Sequence, residues 1–266
     1  MRFPEVAQVS LTERFQQLKT QGKKILLPYI TGGISPDWIE VLRSMAAYGA
    51  DGIEVGIPFS DPMMDGPVIQ EASSLALGRS VTPYSLISEI ARAEVDIPLV
   101  AMTYYNLVFR GGHKRIANLL AGSSVSGVII PDLPYDEADD WITEADRAGV
   151  DNVLMAAPTT SNERMEKIAK RSRGFIYGIG LLGVTGERSE LAASALQVAT
   201  ALKSITDLPV LVGIGVSTPE QAREICQIAD GVIVGSAVVR RVLDGAGPEG
   251  VGEFIAQLRS AIDGLS

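Results

Sequence analysis

Short apolar runs alternate with longer amphipathic stretches along the whole chain. An apolar run bounded by glycine or proline is typical of a buried strand, and apolar residues spaced three and four apart are typical of a helix packed on one face. The predicted strands cover residues 24–30, 53–57, 97–104, 127–131, 151–156, 174–179, 209–214 and 231–234. The predicted helices cover residues 11–21, 35–48, 68–77, 83–93, 114–121, 136–148, 162–171, 191–204, 218–228 and 253–265.

This alternation predicts a parallel sheet, because two-residue hairpin turns such as Asn-Gly are missing between the strands. Eight such strand–helix units predict a (β/α)8 TIM barrel of the α/β class, preceded by an N-terminal helix. A doubly wound open sheet is the alternative. No shift in composition marks a boundary, so we expect residues 1–266 to form a single domain.

Composition narrows the partners that the protein could have. The formal charge of −9 disfavours nucleic acid and anionic membranes as main partners. Cys226 is the single cysteine, which excludes an internal disulfide and fits a reducing cytoplasm; its place in a predicted helix suggests a buried, inert thiol. The N-terminal residues predict no signal peptide, and no apolar stretch has transmembrane length. His113, the single histidine, is predicted to be a solvated turn residue and not a metal ligand.

The second predicted strand is expected to be buried, yet it contains a carboxylate. Ile53, Val55 and Ile57 alternate with Gly52, Glu54 and Gly56, so the two sets face opposite sides of the sheet. Glu54 therefore needs either a structural ion pair or a raised pKa and a catalytic role. The spacing leaves both interpretations open.

Two more acids follow this strand. Asp61 precedes a proline and is interpreted as a turn or helix-capping residue. Asp65 precedes Gly66-Pro67 and suits a turn as well as a catalytic group.

Glycine clusters follow the last three predicted strands. They lie at residues 178–186, at the G-I-G of 213–215 and at Gly235-Ser236. Glycine lets backbone N–H groups approach an anion, and phosphate sites of barrels commonly form after strands seven and eight. The clusters predict a phosphate site, with plain tight turns as the alternative. The pattern G-x-G-x-x-G is missing, so a dinucleotide is not supported.

Several motifs together resemble one family. The run E-V-G-I-P-F-S-D-P-M-M-D-G-P-V-I-Q at residues 54–70 closely resembles the signature of the tryptophan synthase alpha chain. The resemblance extends over nearly the whole chain, through L-P-Y-I-T-G-G, M-T-Y-Y-N, P-D-L-P, G-V-T-G and the G-I-G and G-S pairs.

The resemblance implies a retro-aldol cleavage of indole-3-glycerol phosphate into indole and glyceraldehyde 3-phosphate. By position, Glu54 and Asp65 match the two catalytic acids of the family. Residues that match the lining of the indole pocket are Tyr29, Met102, Tyr104, Ile129, Tyr177 and Ile214. Thr185 is implied to hydrogen-bond Asp65 when a lid closes, and the implied phosphate ligands are Gly186, Gly215, Gly235 and Ser236. Ile129 and Ile214 are equally expected as barrel filler.

The resemblance also implies a partner. The alpha chain normally binds a beta chain that contains pyridoxal phosphate, as an alpha2-beta2 tetramer, and no cofactor is expected in this chain. Residues 58–64 and 107–110 are expected to form part of the docking face. Met63 and Met64 suit this role, and packing on the barrel rim is the alternative for them. One departure from the family pattern is Gly180, which stands where a serine is usual. The alternatives are a free-standing lyase, another phosphate-binding barrel such as a sugar-phosphate isomerase or epimerase, and a non-catalytic regulatory subunit.

Overall fold

Eight parallel strands close into a barrel in chain order in the computed structural model, which describes residues 9–179, 188–213 and 215–265. Each strand pairs in parallel with the next, and the last pairs with the first. The strands are Ile25–Thr31 (β1), Ile53–Gly56 (β2), Leu99–Met102 (β3), Val125–Ile129 (β4), Asp151–Ala156 (β5), Ile176–Gly178 (β6), Val210–Val212 (β7) and Gly231–Val234 (β8). The predicted TIM barrel is confirmed, and the open sheet is wrong.

The helices surround this barrel. They are Leu11–Thr20 (α1), Trp38–Ala47 (α2), Pro67–Gly78 (α3), Pro83–Ile90 (α4), Tyr105–Gly111 (α5), His113–Ala121 (α6), Asp139–Ala148 (α7), Asn162–Arg171 (α8), Arg188–Lys203 (α9), Pro219–Cys226 (α10), Ser236–Leu243 (α11) and Gly247–Ile262 (α12), with a 3-10 turn at Tyr135–Glu137. No described helix is long and apolar enough to cross a membrane. Cys226 lies buried in α10 as predicted, and burial raises the pKa of its thiol to about 12.

The leading helix α1 packs against the end of the barrel at which the strands begin. Leu11 and Phe15 are fully buried, and Thr12 donates from both its backbone N–H and its hydroxyl to Oδ2 of Asp151, at 3.0 and 2.7 Å. A Cβ atom on Gly52 would lie 3.1 Å from the Phe15 ring, so this glycine makes room for the aromatic side chain. The helix thus closes one end of the barrel and leaves the other end for chemistry.

Two helices were absent from the sequence prediction, and both directly follow strands. α5 comes after β3 and α11 after β8, each only a short distance beyond the strand end. Predicted strand 97–104 is correspondingly shorter, because the chain turns into α5 at Tyr105. Helix α12 begins at Gly247 and not near residue 253, so the glycine-rich start of this helix was misread as a loop.

The prediction that His113 is a solvated turn residue was wrong. It begins α6 and is half-buried, and its ring lies 5.8 Å from that of Tyr105 and 6.2 Å from that of Trp141. The Tyr105 hydroxyl and His113 Nε2 are hydrogen-bonded at 3.2 Å. The two preceding glycines suggested a loop, but Gly111 ends α5 and Gly112 alone makes the turn, at φ +82°.

Close packing between neighbouring strands generates a prediction at two strand glycines. A Cβ atom on Gly231 would lie 2.5 Å from the Ile25 carbonyl oxygen and 2.7 Å from Ile25 Cβ, which are backbone-fixed. At Gly178 the nearest atom would be Val212 Cγ2 at 3.5 Å, an ordinary contact. We expect Gly231→Ala to lower the free energy of unfolding by about 2 kcal/mol or more, and its control Gly178→Ala by less than about 1 kcal/mol. Urea unfolding measures both; equal losses would contradict this account of the packing.

Candidate active site

Glu54 occupies the inner face of the barrel. It lies on β2 between Gly52 and Gly56, whose missing side chains would also point inward, towards Phe15 and Tyr29. Only 4% of Glu54 is exposed, and its Oε2 atom has no hydrogen-bond partner among the residues that the structure describes. Burial, and secondarily repulsion from Asp65, raises the pKa of Glu54 to about 8. A carboxyl group in this state holds a proton near neutral pH and can release it.

Asp65 lies beyond the end of the same strand, on the loop that leads into α3. A turn fixes it, since its backbone N–H donates to the Pro62 carbonyl at 3.0 Å. Its Oδ2 atom accepts a hydrogen bond of 3.0 Å from the Tyr104 hydroxyl. Burial raises the pKa of Asp65 to about 6, while the Tyr104 hydrogen bond acts in the opposite direction. Near neutral pH Asp65 is therefore mainly an anion beside a protonated Glu54.

Tyr104 connects the loop to the barrel wall. Its hydroxyl accepts a hydrogen bond of 3.1 Å from the Met64 backbone N–H while it donates to Asp65. Its ring stacks on Phe59 with centroids 5.1 Å apart. The sequence placed Tyr104 in the indole pocket but gave no sign that it positions the second acid, because the two residues are 39 positions apart in the chain.

Aromatic and apolar side chains surround the two acids. Tyr29 is paired in register with Glu54, and Met102 with both Gly56 and Ile129. Tyr177 donates to the Gly213 carbonyl at 3.1 Å. The pKa of Tyr177 is raised by burial and then by the charges of Glu54 and Asp65. Four of the predicted pocket residues thus share the inner face of the barrel: Tyr29, Met102, Ile129 and Tyr177.

The predicted phosphate corner lies after the neighbouring strands β7 and β8. Gly215 is exposed and has φ +65°, a left-handed conformation that glycine adopts without strain. Gly235 caps α11, and Ser236 is the exposed first residue of that helix, whose first N–H groups lack intrahelical acceptors. A Cβ atom on Gly235 would meet Tyr29 Cβ at 3.8 Å, so this corner adjoins the strand paired with Glu54.

Four residues singled out from the sequence lie outside the described residues: Gly180, Thr185, Gly186 and Ile214. Asp61 is exposed in a turn, where its carbonyl accepts from the Met63 N–H at 2.8 Å, as the turn interpretation predicted. Within residues 9–179, 188–213 and 215–265 no group of three or more His, Cys, Asp or Glu side chains could hold a metal ion.

Comparison with known proteins gives one consistent result. The family model described as "Tryptophan synthase alpha chain" matches residues 15–258. A tryptophan synthase alpha chain from Picosynechococcus sp. is 43% identical over 262 residues, which is 95% of this chain and 99% of that protein. One from Methanosarcina mazei is 43% identical over 239 residues, 88% of this chain and 87% of that one. A crystal structure of the alpha chain from Legionella pneumophila has a TM-score of 0.85 at 32% identity and covers 96% of this chain and 98% of its own.

The raised pKa of Glu54 predicts a pH-dependent stability. Its pKa rises from 4.5 to about 8 on folding, so the folded state binds the proton more tightly and stability falls as pH rises through this window. The Glu54→Gln variant has no titrating carboxyl group at this position. One pKa unit corresponds to about 1.4 kcal/mol, so the stability of the variant relative to wild type should rise by roughly 2 kcal/mol or more between pH 5 and 8.

Urea unfolding at several pH values measures this difference. Asp61→Asn makes the same carboxyl-to-amide exchange in an exposed turn and serves as the matched control. A Glu54→Gln variant whose stability relative to wild type does not change between pH 5 and 8 would contradict the buried, protonated carboxyl.

Proposed function

Given that the chain belongs to the tryptophan synthase alpha chain family, we propose that Glu54 and Asp65 carry out its cleavage reaction. The activity of this family is the cleavage of indole-3-glycerol phosphate to indole and glyceraldehyde 3-phosphate, a lyase step of tryptophan biosynthesis. The alpha chain carries no cofactor, since the pyridoxal phosphate belongs to the beta chain. The observation that supports the catalytic assignment most is the unpartnered Oε2 atom of Glu54 inside the barrel.

Glu54 would act first as an acid and then as a base. Its pKa of about 8 keeps it largely protonated near neutral pH, so it can protonate C3 of the indole ring. The resulting carboxylate then takes the proton of the hydroxyl next to the breaking bond. As the C3–carbon bond breaks, its electrons return to the ring and the hydroxyl carbon becomes the aldehyde. Glu54 ends the cycle protonated, so one residue serves both transfers.

Asp65 would stabilise the intermediate. Protonation at C3 places a positive charge on the indole nitrogen, and a carboxylate beside the N–H group lowers the energy of that state. The pKa of about 6 keeps Asp65 ionised at the pH at which Glu54 still holds its proton. Two carboxyl groups in one cavity thereby take different roles because their environments separate their pKa values.

The substrate would lie with its ring between the inner-face residues and its phosphate at the glycine corner. Tyr29, Met102, Ile129 and Tyr177 offer an apolar and aromatic wall for the indole ring. Gly215, Gly235 and Ser236 offer backbone N–H groups and a helix N-terminus for the phosphate. The family resemblance adds Gly186 to this set. We further propose that residues 1–266 act as one catalytic domain and that the reaction takes place in the cytoplasm.

A beta chain is the partner expected for this family, and we propose the alpha2-beta2 assembly. Met63 is 81% exposed, Met64 55% and Phe109 64%, which is unusual for large apolar side chains. The loop of Met63 and Met64 is tied to Tyr104, the residue that precedes α5 with Phe109, so we propose that both segments belong to the docking face. A free-standing lyase and a non-catalytic subunit remain the competing hypotheses; the retained acids disfavour the second.

Glu54→Gln should abolish cleavage and preserve substrate binding, because the amide keeps the shape but cannot transfer the proton. We expect turnover to fall by at least about a hundredfold, with the affinity for indole-3-glycerol phosphate within a few-fold of wild type. Single-turnover kinetics and calorimetry measure the two separately. Asp61→Asn is the control and should keep wild-type turnover in the isolated chain. Near-normal turnover of Glu54→Gln would rule out its role as proton donor.

Gly235 provides the sharper test of the phosphate corner. Its nearest potential Cβ contacts lie at 3.8 Å and its φ of −98° suits any residue, whereas a side chain at Gly215 would strain the backbone at φ +65°. Gly235→Val should therefore leave circular dichroism and melting temperature nearly unchanged and weaken glycerol 3-phosphate binding by at least about tenfold. If affinity is unchanged in the folded variant, the phosphate binds elsewhere.

The isolated chain should cleave slowly and respond strongly to a beta chain, since closure of glycine-rich loops needs a stabilising contact. Indole release at saturating substrate should rise on titration with beta chain, and glycerol 3-phosphate should tighten the complex, because coupling is reciprocal.

Phe109→Ser should weaken the complex by at least about tenfold. Ile205→Ser is the control, since Ile205 is 38% exposed and precedes β7 at the opposite end of the barrel. Full activity without a beta chain, and no response to it, would favour the free-standing lyase.

A further inference from the structure

The side chain of Tyr29 connects the two ends of the proposed site. Its Cβ atom lies next to the phosphate corner, because a Cβ atom on Gly235 would be 3.8 Å from it. Its hydroxyl lies against the strand of Glu54, because a Cβ atom on Gly56 would collide with the hydroxyl oxygen. Tyr29 is buried and paired in register with Glu54. The phenol ring therefore runs along the inner face of the barrel from the phosphate corner to β2.

A second hydroxyl lies beside that of Tyr29. The Tyr29 oxygen is 3.2 Å from Oγ1 of Thr31, a fully buried residue two positions further along β1. The pKa of Tyr29 is raised well above its usual value, first by burial and then by the charge of Asp65, so this hydroxyl keeps its hydrogen. The two residues form the hydroxyl pair of β1.

The hydroxyl pair has one hydrogen more than its own hydrogen bond uses. Each hydroxyl carries one hydrogen, and the bond between Tyr29 and Thr31 takes up only one of the two. For the other hydrogen there is no acceptor among the residues that the structure describes. A buried donor without an acceptor destabilises the fold, so a group that binds in the site and accepts this hydrogen gains affinity.

The substrate that we propose offers an acceptor here. Its three-carbon chain joins the indole ring to the phosphate, so it has to pass along the Tyr29 side chain between Glu54 and the phosphate corner. The carbon next to the ring carries the hydroxyl that Glu54 would deprotonate. The middle carbon carries a second hydroxyl, which takes no part in the cleavage and lies between the two ends of the site.

We propose that the hydroxyl pair of Tyr29 and Thr31 binds the middle hydroxyl of the glycerol chain and makes the protein specific for substrates that carry it. This inference rests on the proposed function, which supplies the substrate and its orientation. A phenylalanine at position 29 would form the same aromatic wall for the indole ring, so the wall does not account for the hydroxyl. Ordered water is the competing occupant.

Two unreactive probes differ only in the middle hydroxyl. The first is the analogue of indole-3-glycerol phosphate that lacks the hydroxyl next to the ring and keeps the configuration of the middle carbon. The second is indole-3-propanol phosphate, which lacks both hydroxyls. Neither can undergo the retro-aldol step. In calorimetry with the full chain, the first should bind about three- to tenfold more tightly than the second, because it gains one buried hydrogen bond.

Variants of the hydroxyl pair should reduce this preference. Tyr29→Phe keeps the aromatic wall and should lower the preference, and Tyr29→Phe combined with Thr31→Val should abolish it. Tyr104→Phe is the matched control, because the Tyr104 hydroxyl already accepts from the Met64 N–H and donates to Asp65. It should change both affinities by the same factor, and melting temperatures verify that each variant is folded.

The outcomes separate this inference from the function on which it rests. A preference that persists in the double variant would overturn the inference alone, since both probes still bind. Equal affinities of the two probes for the wild-type protein would do the same and would mean that the hydroxyl pair holds water only. If the double variant does not fold, an unchanged preference in Tyr29→Phe and in Thr31→Val is the contradicting result. If neither probe binds the wild-type protein, the proposed function fails and this inference fails with it.

Discussion

The mouth of this barrel is arranged around the carboxyl group of Glu54, whose Oε2 atom has no hydrogen-bond partner among the described residues. Transferring an ionised carboxylate from water to such a site costs far more than folding can supply, so Glu54 avoids the cost by keeping its proton. Its pKa of about 8 is the result. A basic side chain beside Glu54 would have offset the cost of burying the charged carboxylate, but Glu54 would then have lost its proton at neutral pH. The apolar surroundings therefore keep Glu54 protonated near neutral pH, so that it can donate a proton. Burying this group makes the strand less stable.

Glycines create the space in which this chemistry can happen. Gly56 and Gly213 lie on the inner face, and a Cβ atom at either would collide with a tyrosine, Tyr29 in one case and Tyr177 in the other. The tyrosines fill the room that the glycines leave, and their hydroxyls find partners in Thr31 and in the Gly213 carbonyl. At both places a tyrosine on one strand lies beside a glycine on the next, and the two tyrosines belong to the wall that surrounds the acids.

The barrel and its first acid could be predicted because both depend on local periodicity. Alternation along β2 puts Glu54 inside, and repeated strand–helix units leave few architectures other than a barrel. Other features depend on contacts between distant positions, which no local pattern encodes. The bond between Tyr104 and Asp65 is one, and the packing of His113 against Tyr105 and Trp141 is another. Helices α5 and α11 were not predicted because each is short and directly follows a strand, with no longer loop to mark where the helix begins.

The two acids differ in how firmly they are held, and this difference suits the roles that we propose for them. Glu54 belongs to a strand paired on both sides, so its position is fixed by the barrel itself. Asp65 belongs to a loop, and its carboxylate is held in the described part of the chain by the Tyr104 hydroxyl, whose ring is in turn fixed by Phe59. A proton donor must meet its target carbon within a few tenths of an ångström, whereas an anion stabilises a charge over a longer range. A strand position therefore suits the proton donor that we propose, and a loop position suits the anion that we propose. Because the Met64 backbone N–H shares the Tyr104 hydroxyl with Asp65, a partner that covers Met64 would act directly on the placement of the second acid, and on the first only through the charge of Asp65.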